Sequence, residues 1–144
     1  MTEFRKADPN FAVAGQINVE DVGRAATEGY RTLIVNRPEN EDPGQLSHAE
    51  IAAAAKAAGL KFHVLPFTGP PPPAIVAETA EILEAAQGPV LAYCRTGRRS
   101  IMAWAMAQAL TGARSPAELI EMAGKAGYDL EGARPALETL APRN

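Results

Sequence analysis

Three short apolar runs constrain the fold most: "RTLIVN" (31–36), "KFHVLPF" (61–67) and "VLAY" (90–93). "RTLIVN" and "VLAY" are apolar on successive residues and have no face to give to water, so as strands they must be covered on both sides. "KFHVLPF" reads as a strand with apolar neighbours alternating around His63. The segments between the runs carry helix signals. "NVEDVGRAATEG" has Asn18 placed as a cap, Glu20 and Asp21 in the first turn and Gly29 at its end. "SHAEIAAAAKAAGL" opens with Ser47 and Glu50 in capping-box spacing and closes on Gly59. Ile75, Val76, Thr79, Ile82, Leu83 and Ala86 recur at helical spacing until Gly88. A further helix is predicted over Ser100–Leu110, another opens at the capping box Ser115 to Glu118, and a short one covers Arg134–Leu140. "FAVAGQI" (11–17) supplies a first strand, and "TGPPPP" breaks regular structure because its prolines donate no backbone hydrogen bond. Strands alternating with helices predict one α/β domain over residues 1–144, a mostly parallel central sheet flanked by helices.

Composition narrows the partners. The net charge is −3 over 144 residues, which argues against nucleic acid and acidic membranes as ligands. A single cysteine excludes an internal disulfide and a multi-cysteine zinc site. The two histidines, His48 and His63, stand far apart without paired carboxylates, so neither a metal nor another cofactor is implied. The opening "MTEFRKADPNF" lacks the apolar stretch of a secretory signal, and no run is long enough to span a bilayer; a cytoplasmic location is the expectation.

In a parallel sheet, chemistry is expected beyond the carboxyl ends of the strands. Three loops meet that description: those after Asn36, after Pro66 and from Cys94 onward. Only the last, "YCRTGRRS", carries a motif. A tight strand-to-helix loop can curl its N–H groups inward around an anion, and Gly97 permits the torsions this needs. The following helix adds unpaired N–H groups and the positive end of its dipole. A thiol held there favours its ionised form. Arg95, Arg98 and Arg99 add charge, Thr96 and Gly97 complete the cradle, and Ser100 is placed to cap the helix and donate to the thiolate. Cys94 thus reads as a nucleophile beside an anion pocket, against the alternative of a buried structural cysteine. Arg37 could carry substrate anion or pair with Glu39 or Glu41. His63 reads as a structural histidine and His48 as solvent-facing. Trp104, Met102 and Met106 read as core, and Tyr93 as strand-end packing.

The loop resembles those of the cysteine-dependent protein phosphatases and the rhodanese sulfurtransferases. More closely, "INVEDVGRAATEGYRTLIVNRPENE…GLKFHVLPF…GPVLAYCRTGRRS" is similar to the bacterial phosphatase-like domains of beta-lactamase-hydrolase-like proteins. The resemblance implies a dual-specificity-phosphatase-like fold with Cys94 as nucleophile and the loop backbone as anion cradle. Members of that family occur alone or joined to persulfide dioxygenases and sulfide-oxidising flavoproteins, which makes such proteins candidate partners.

Two departures bear on the reaction. The phosphatase signature has arginine six residues after cysteine and histidine before it; here Ser100 and Tyr93 hold those places, and the nearest arginine is Arg99. Rhodanese-type C-R-x-G-x-R-S loops match "CRTGRRS" throughout. Related phosphatases also carry an aspartic acid on the loop that here reads "FTGPPPP", which has no ionisable group. Glu39 or Asp42 could substitute, though both read as solvated loop acids. The leading expectation is therefore a sulfurtransferase: Cys94 takes sulfane sulfur from thiosulfate or a persulfide and passes it to a thiol such as glutathione, with Arg99 as catalytic partner. The alternatives are a phosphatase cleaving phosphate esters through a phosphocysteine, or a non-enzymatic anion-binding or redox-sensing module.

Overall fold

The computed structural model describes residues 1–142. Its centre is a five-stranded sheet of β1 (Arg5–Asp8), β2 (Phe11–Ala14), β3 (Thr32–Val35), β4 (Lys61–Val64) and β5 (Val90–Tyr93), in the order β1-β2-β5-β3-β4. The pairs β2–β5, β5–β3 and β3–β4 are parallel. The antiparallel edge, β1 on β2, has no counterpart in the sequence reading. Its residues "RKAD" bury only Ala7, so no apolar run marks it.

The helices are α1 (Val19–Thr27), α2 (His48–Ala58), α3 (Pro73–Ala85), α4 (Arg98–Thr111), α5 (Pro116–Lys125) and α6 (Arg134–Leu140), with one 3-10 turn at Glu131–Ala133. Ser47 and Ser115 close the capping boxes expected of them, and Asn18 forms one too, accepting from Asp21 N–H while the Asp21 carboxylate accepts from Asn18 N–H. Gly59 ends α2 in the left-handed conformation (φ 80°).

The pleat sorts the apolar runs onto two faces. Val13, Ile34 and Ala92 pack with Trp104, Leu119, Leu130 and Leu137 on the side of α3–α6. Ala12, Ala14, Leu33, Val35, Leu91 and Tyr93 pack with Val22, Ala25, Ile51 and Ala55 on the side of α1 and α2. Alternate residues of β2, β3 and β5 thus face opposite layers, which is why these strands contain no solvent-facing position. Trp104 is fully buried and its ring stacks on Phe11 at 5.7 Å; Met102 and Met106 are only partly buried. Among the described residues, no helix is long and apolar enough to cross a membrane.

Candidate active site

Central strand β5 ends at Tyr93, and Cys94 follows directly. Its backbone N–H donates to Ala14 O on β2 (3.2 Å), so the sheet ladder fixes the start of the loop. The thiol is fully buried, and Gly97 N–H donates to its Sγ at 3.1 Å. Gly97 has φ +90° and is the N-cap of α4. A Cβ there would strike the Tyr128 hydroxyl, which donates to Thr96 O at 2.8 Å. Thr96 Oγ1 accepts from Arg98 N–H at 3.4 Å. The amides of Arg99 and Ser100 lie in the first turn, beyond reach of any intrahelical carbonyl. Amides and helix dipole together suit the loop to an anion.

The helix starts at Arg98, not at Ser100 as the sequence predicts. A glycine in the left-handed conformation turns the chain as well as a capping serine would. Ser100 is consequently inside the helix, buried, and its Oγ has no hydrogen-bond partner.

The three predicted loops do meet, and Arg99 joins them. Its Nη1 donates to Glu41 Oε2 (2.8 Å) and Phe67 O (3.0 Å), and its Nη2 to Glu41 Oε1 (2.7 Å). This fork holds the guanidinium firmly protonated, chiefly through Glu41 and further through the Cys94 sulfur beside it. Glu41 in turn is held below the usual carboxylate range, first by its bond to Arg99 and also by Arg37. Arg37 donates to Glu41 Oε1 (2.9 Å), Asp42 Oδ2 (2.6 Å) and Gln16 Oε1 (2.9 Å). Arg95 reaches the same Asp42 oxygen at 3.3 Å. Arg98 is exposed, and its side chain has no hydrogen-bond or ion-pair partner among the described residues.

Several side chains differ from their expected surroundings. Arg37 pairs with Glu41 and Asp42, not Glu39, which accepts from His48 N–H (3.0 Å) at the start of α2. Asp42 is no free loop acid, because two arginines hold it. His48 turns inward and donates from Nε2 to Arg37 O at 2.7 Å. His63 is half-buried on edge strand β4, with β3 between it and β5. Tyr93 packs in the core as expected, and burial pushes its phenol well above the usual range. The sequence reading missed the bond between Glu41 and Arg99, although the acidic "NRPENEDPG" on a neighbouring strand end was a signal. For Tyr128 there was none. No group of three or more His, Cys, Asp or Glu among the described residues is placed to hold a metal.

Residues 3–111 match the family described as "Beta-lactamase hydrolase-like protein, phosphatase-like domain". The Beta-lactamase hydrolase-like protein of Agrobacterium fabrum is 28% identical over 126 residues, which are 87% of this chain and 29% of that protein. The chain thus spans less than a third of this curated relative. A candidate phosphatase from Neisseria meningitidis, solved as a crystal structure, superposes with a TM-score of 0.80 at 33% identity, covering 94% of this chain and 96% of that one. P. aeruginosa TpbA, solved with phosphotyrosine, shares the fold (TM-score 0.66, 20% identity, 95% and 86% covered). The cysteine loop at the head of a central parallel strand is therefore set in a fold shared with phosphatases, and the chain belongs to the family of phosphatase-like domains of beta-lactamase hydrolase-like proteins.

Proposed function

We propose that this chain is a phosphatase that cleaves phosphate monoesters through a phosphocysteine on Cys94. The observation that carries the reading is the buried Sγ beneath the Gly97 N–H (3.1 Å), beside a guanidinium whose orientation Glu41 fixes. In the first step Sγ attacks phosphorus, forming the S–P bond as the ester P–O bond breaks. The loop amides and Arg99 take up charge on the equatorial oxygens. The departing oxygen takes a proton from water, since Glu41 and Asp42 are committed to arginines and Phe67–Pro72 carries no acid. In the second step water attacks phosphorus, phosphate leaves, and the thiolate is restored.

The expectation of sulfur transfer yields to this reading. It rests on an arginine one place nearer to Cys94, as in rhodanese-type loops, and on the missing acid, and neither measures which anion fits. Helix α4 begins early enough to carry Arg99 on its first turn, and the similar structures are phosphatases or candidate phosphatases. Thiosulfate, glutathione and sulfide-oxidising partners leave the reading with it.

The test is hydrolysis of phenyl phosphate by the wild-type protein and Cys94→Ser, with mass spectrometry of acid-quenched enzyme, beside a thiosulfate-to-cyanide assay. Phosphate release that Cys94→Ser abolishes, with a phosphorylated Cys94, supports the proposal. A Cys94 persulfide with thiocyanate production and no phosphate release overturns it.

A further inference from the structure

Beside the cysteine loop lies a groove of about 590 Å³ whose floor is the α4 stripe Arg98, Met102 and Met106. These positions are four residues apart, so they stand in one row along the helix. The row runs from a cation at the helix N-terminus to two flexible thioethers. Pro71, Ala133 and Ala136 also line it, and Thr96 and Arg99 join them from the cysteine loop and the start of α4. Apart from Thr96 and the arginines, no lining side chain carries an oxygen or nitrogen. The volume is in the range that holds a small organic ligand.

Charge separates this surface from an unfilled dent. Arg37, Arg95 and Arg99 all pair with carboxylates, whereas Arg98 has no side-chain partner among the described residues. An unspent cation between an anion cradle and an apolar trough complements a molecule built the same way, anionic at one end and apolar along its length. Methionines adapt to chains of different shape better than a rigid aromatic slot would. The lining alanines lie beyond the 3–111 family match, so the trough is partly this chain's own addition to the shared core.

Resting on the phosphatase reading above, we infer that the groove seats the apolar portion of the substrate, and that the substrate class is an amphiphilic phosphate monoester. The seat selects through binding, because Met102, Met106 and Ala136 bear no group that takes part in the chemistry.

The probes are phenyl phosphate and its 4-ethyl, 4-butyl and 4-hexyl derivatives, titrated onto the Cys94→Ser protein below their micellar concentrations. Each buried methylene is expected to tighten Kd by about two- to fourfold. In a Cys94→Ser/Ala136→Trp double variant the hexyl ester should bind no better than phenyl phosphate. Position 136 is exposed, so the indole fills the groove without entering the core. A Kd that is flat across the series overturns the inference, and so does a chain-length gain that Ala136→Trp leaves intact. Turnover of phenyl phosphate by the wild-type enzyme is read separately. Turnover with a flat Kd series removes the groove and keeps the phosphatase. A graded series without turnover keeps the groove as a seat for amphiphiles and removes the phosphatase, and with it the phosphate-monoester substrate class.

Discussion

Glu41→Ala is the substitution that most directly probes the architecture of the site. Glu41 accepts both terminal nitrogens of Arg99 and the Nε of Arg37, and its side chain is 22% exposed against 18% for Arg99 and 4% for Arg37. Exposed ion pairs contribute about 0.2–1 kcal/mol, and stranding a charge of a fully buried pair costs about 3–5 kcal/mol. This pair lies between the two cases, since Phe67 O and Asp42 still hold one guanidinium each. A loss of about 2 kcal/mol is expected, or a fall in Tm of roughly 6 °C for a domain of this size. Arg99, freed of its fork, should cost about 10- to 100-fold in kcat/KM on phenyl phosphate, equivalent to about 1.4–2.7 kcal/mol. Glu41→Gln keeps one acceptor oxygen and should fall between wild type and alanine in both assays. The pH dependence carries its own sign. Because the folded protein holds the carboxyl below its ordinary value of 4.5, the stabilisation is complete above that value and is lost as pH falls through the lowered one. The stability gap between wild type and Glu41→Gln should therefore be constant from pH 7 to about 5 and close in stronger acid. A Tm within about 1 °C of wild type, with unchanged kcat/KM, would refute the reasoning and reduce the network to surface ion pairs.

Other outcomes follow from single features. Gly97→Ala adds a left-handed non-glycine residue and a clash with Tyr128; it should cost at least about 2 kcal/mol in urea unfolding, and Tyr128→Phe in the same chain should recover part of the loss. Trp104→Ala empties a fully buried site stacked on Phe11 and should cost about 3–5 kcal/mol by the same measurement. Burial, and secondarily Lys61, holds His63 below its ordinary value of 6.5, so the unfolded chain binds the proton first. Wild-type stability should fall relative to His63→Gln as pH drops below about 6.5, and urea midpoints at pH 8 and pH 5 would show it.

What the sequence disclosed and what it hid divide along physical lines. Capping boxes at Ser47 and Ser115 are local chemistry, and all their partners lie within four residues. Apolar runs such as "TLIV" declare strands because burial on two faces leaves no other composition. Strand β1 escapes for the opposite reason: an edge strand with one buried residue looks like any charged loop. The cysteine loop was legible as a motif, since strand, glycine and helix are consecutive. Its supports were not. Arg99 and Glu41 are 58 residues apart, Tyr128 and Thr96 are 32 apart, and no local pattern encodes which loop acid meets which arginine. The misplaced helix start shows two caps competing: Ser100 has the better capping side chain, but Gly97 has the backbone conformation the turn requires.

The position of β5 in the order β1-β2-β5-β3-β4 governs how the site comes apart as well as how it is built. The amides of β5 bond alternately to β2 and β3, so each opens only when an inner strand is displaced, whereas β1 and β4 can fray alone. In native-state hydrogen exchange, the amides of Leu91, Ala92 and Cys94 should need the full unfolding free energy to open, and those of the two edge strands much less. Cys94 thus sits on the last part of the sheet to open, whereas the Phe67 carbonyl that holds Arg99 follows edge strand β4 and can be released earlier.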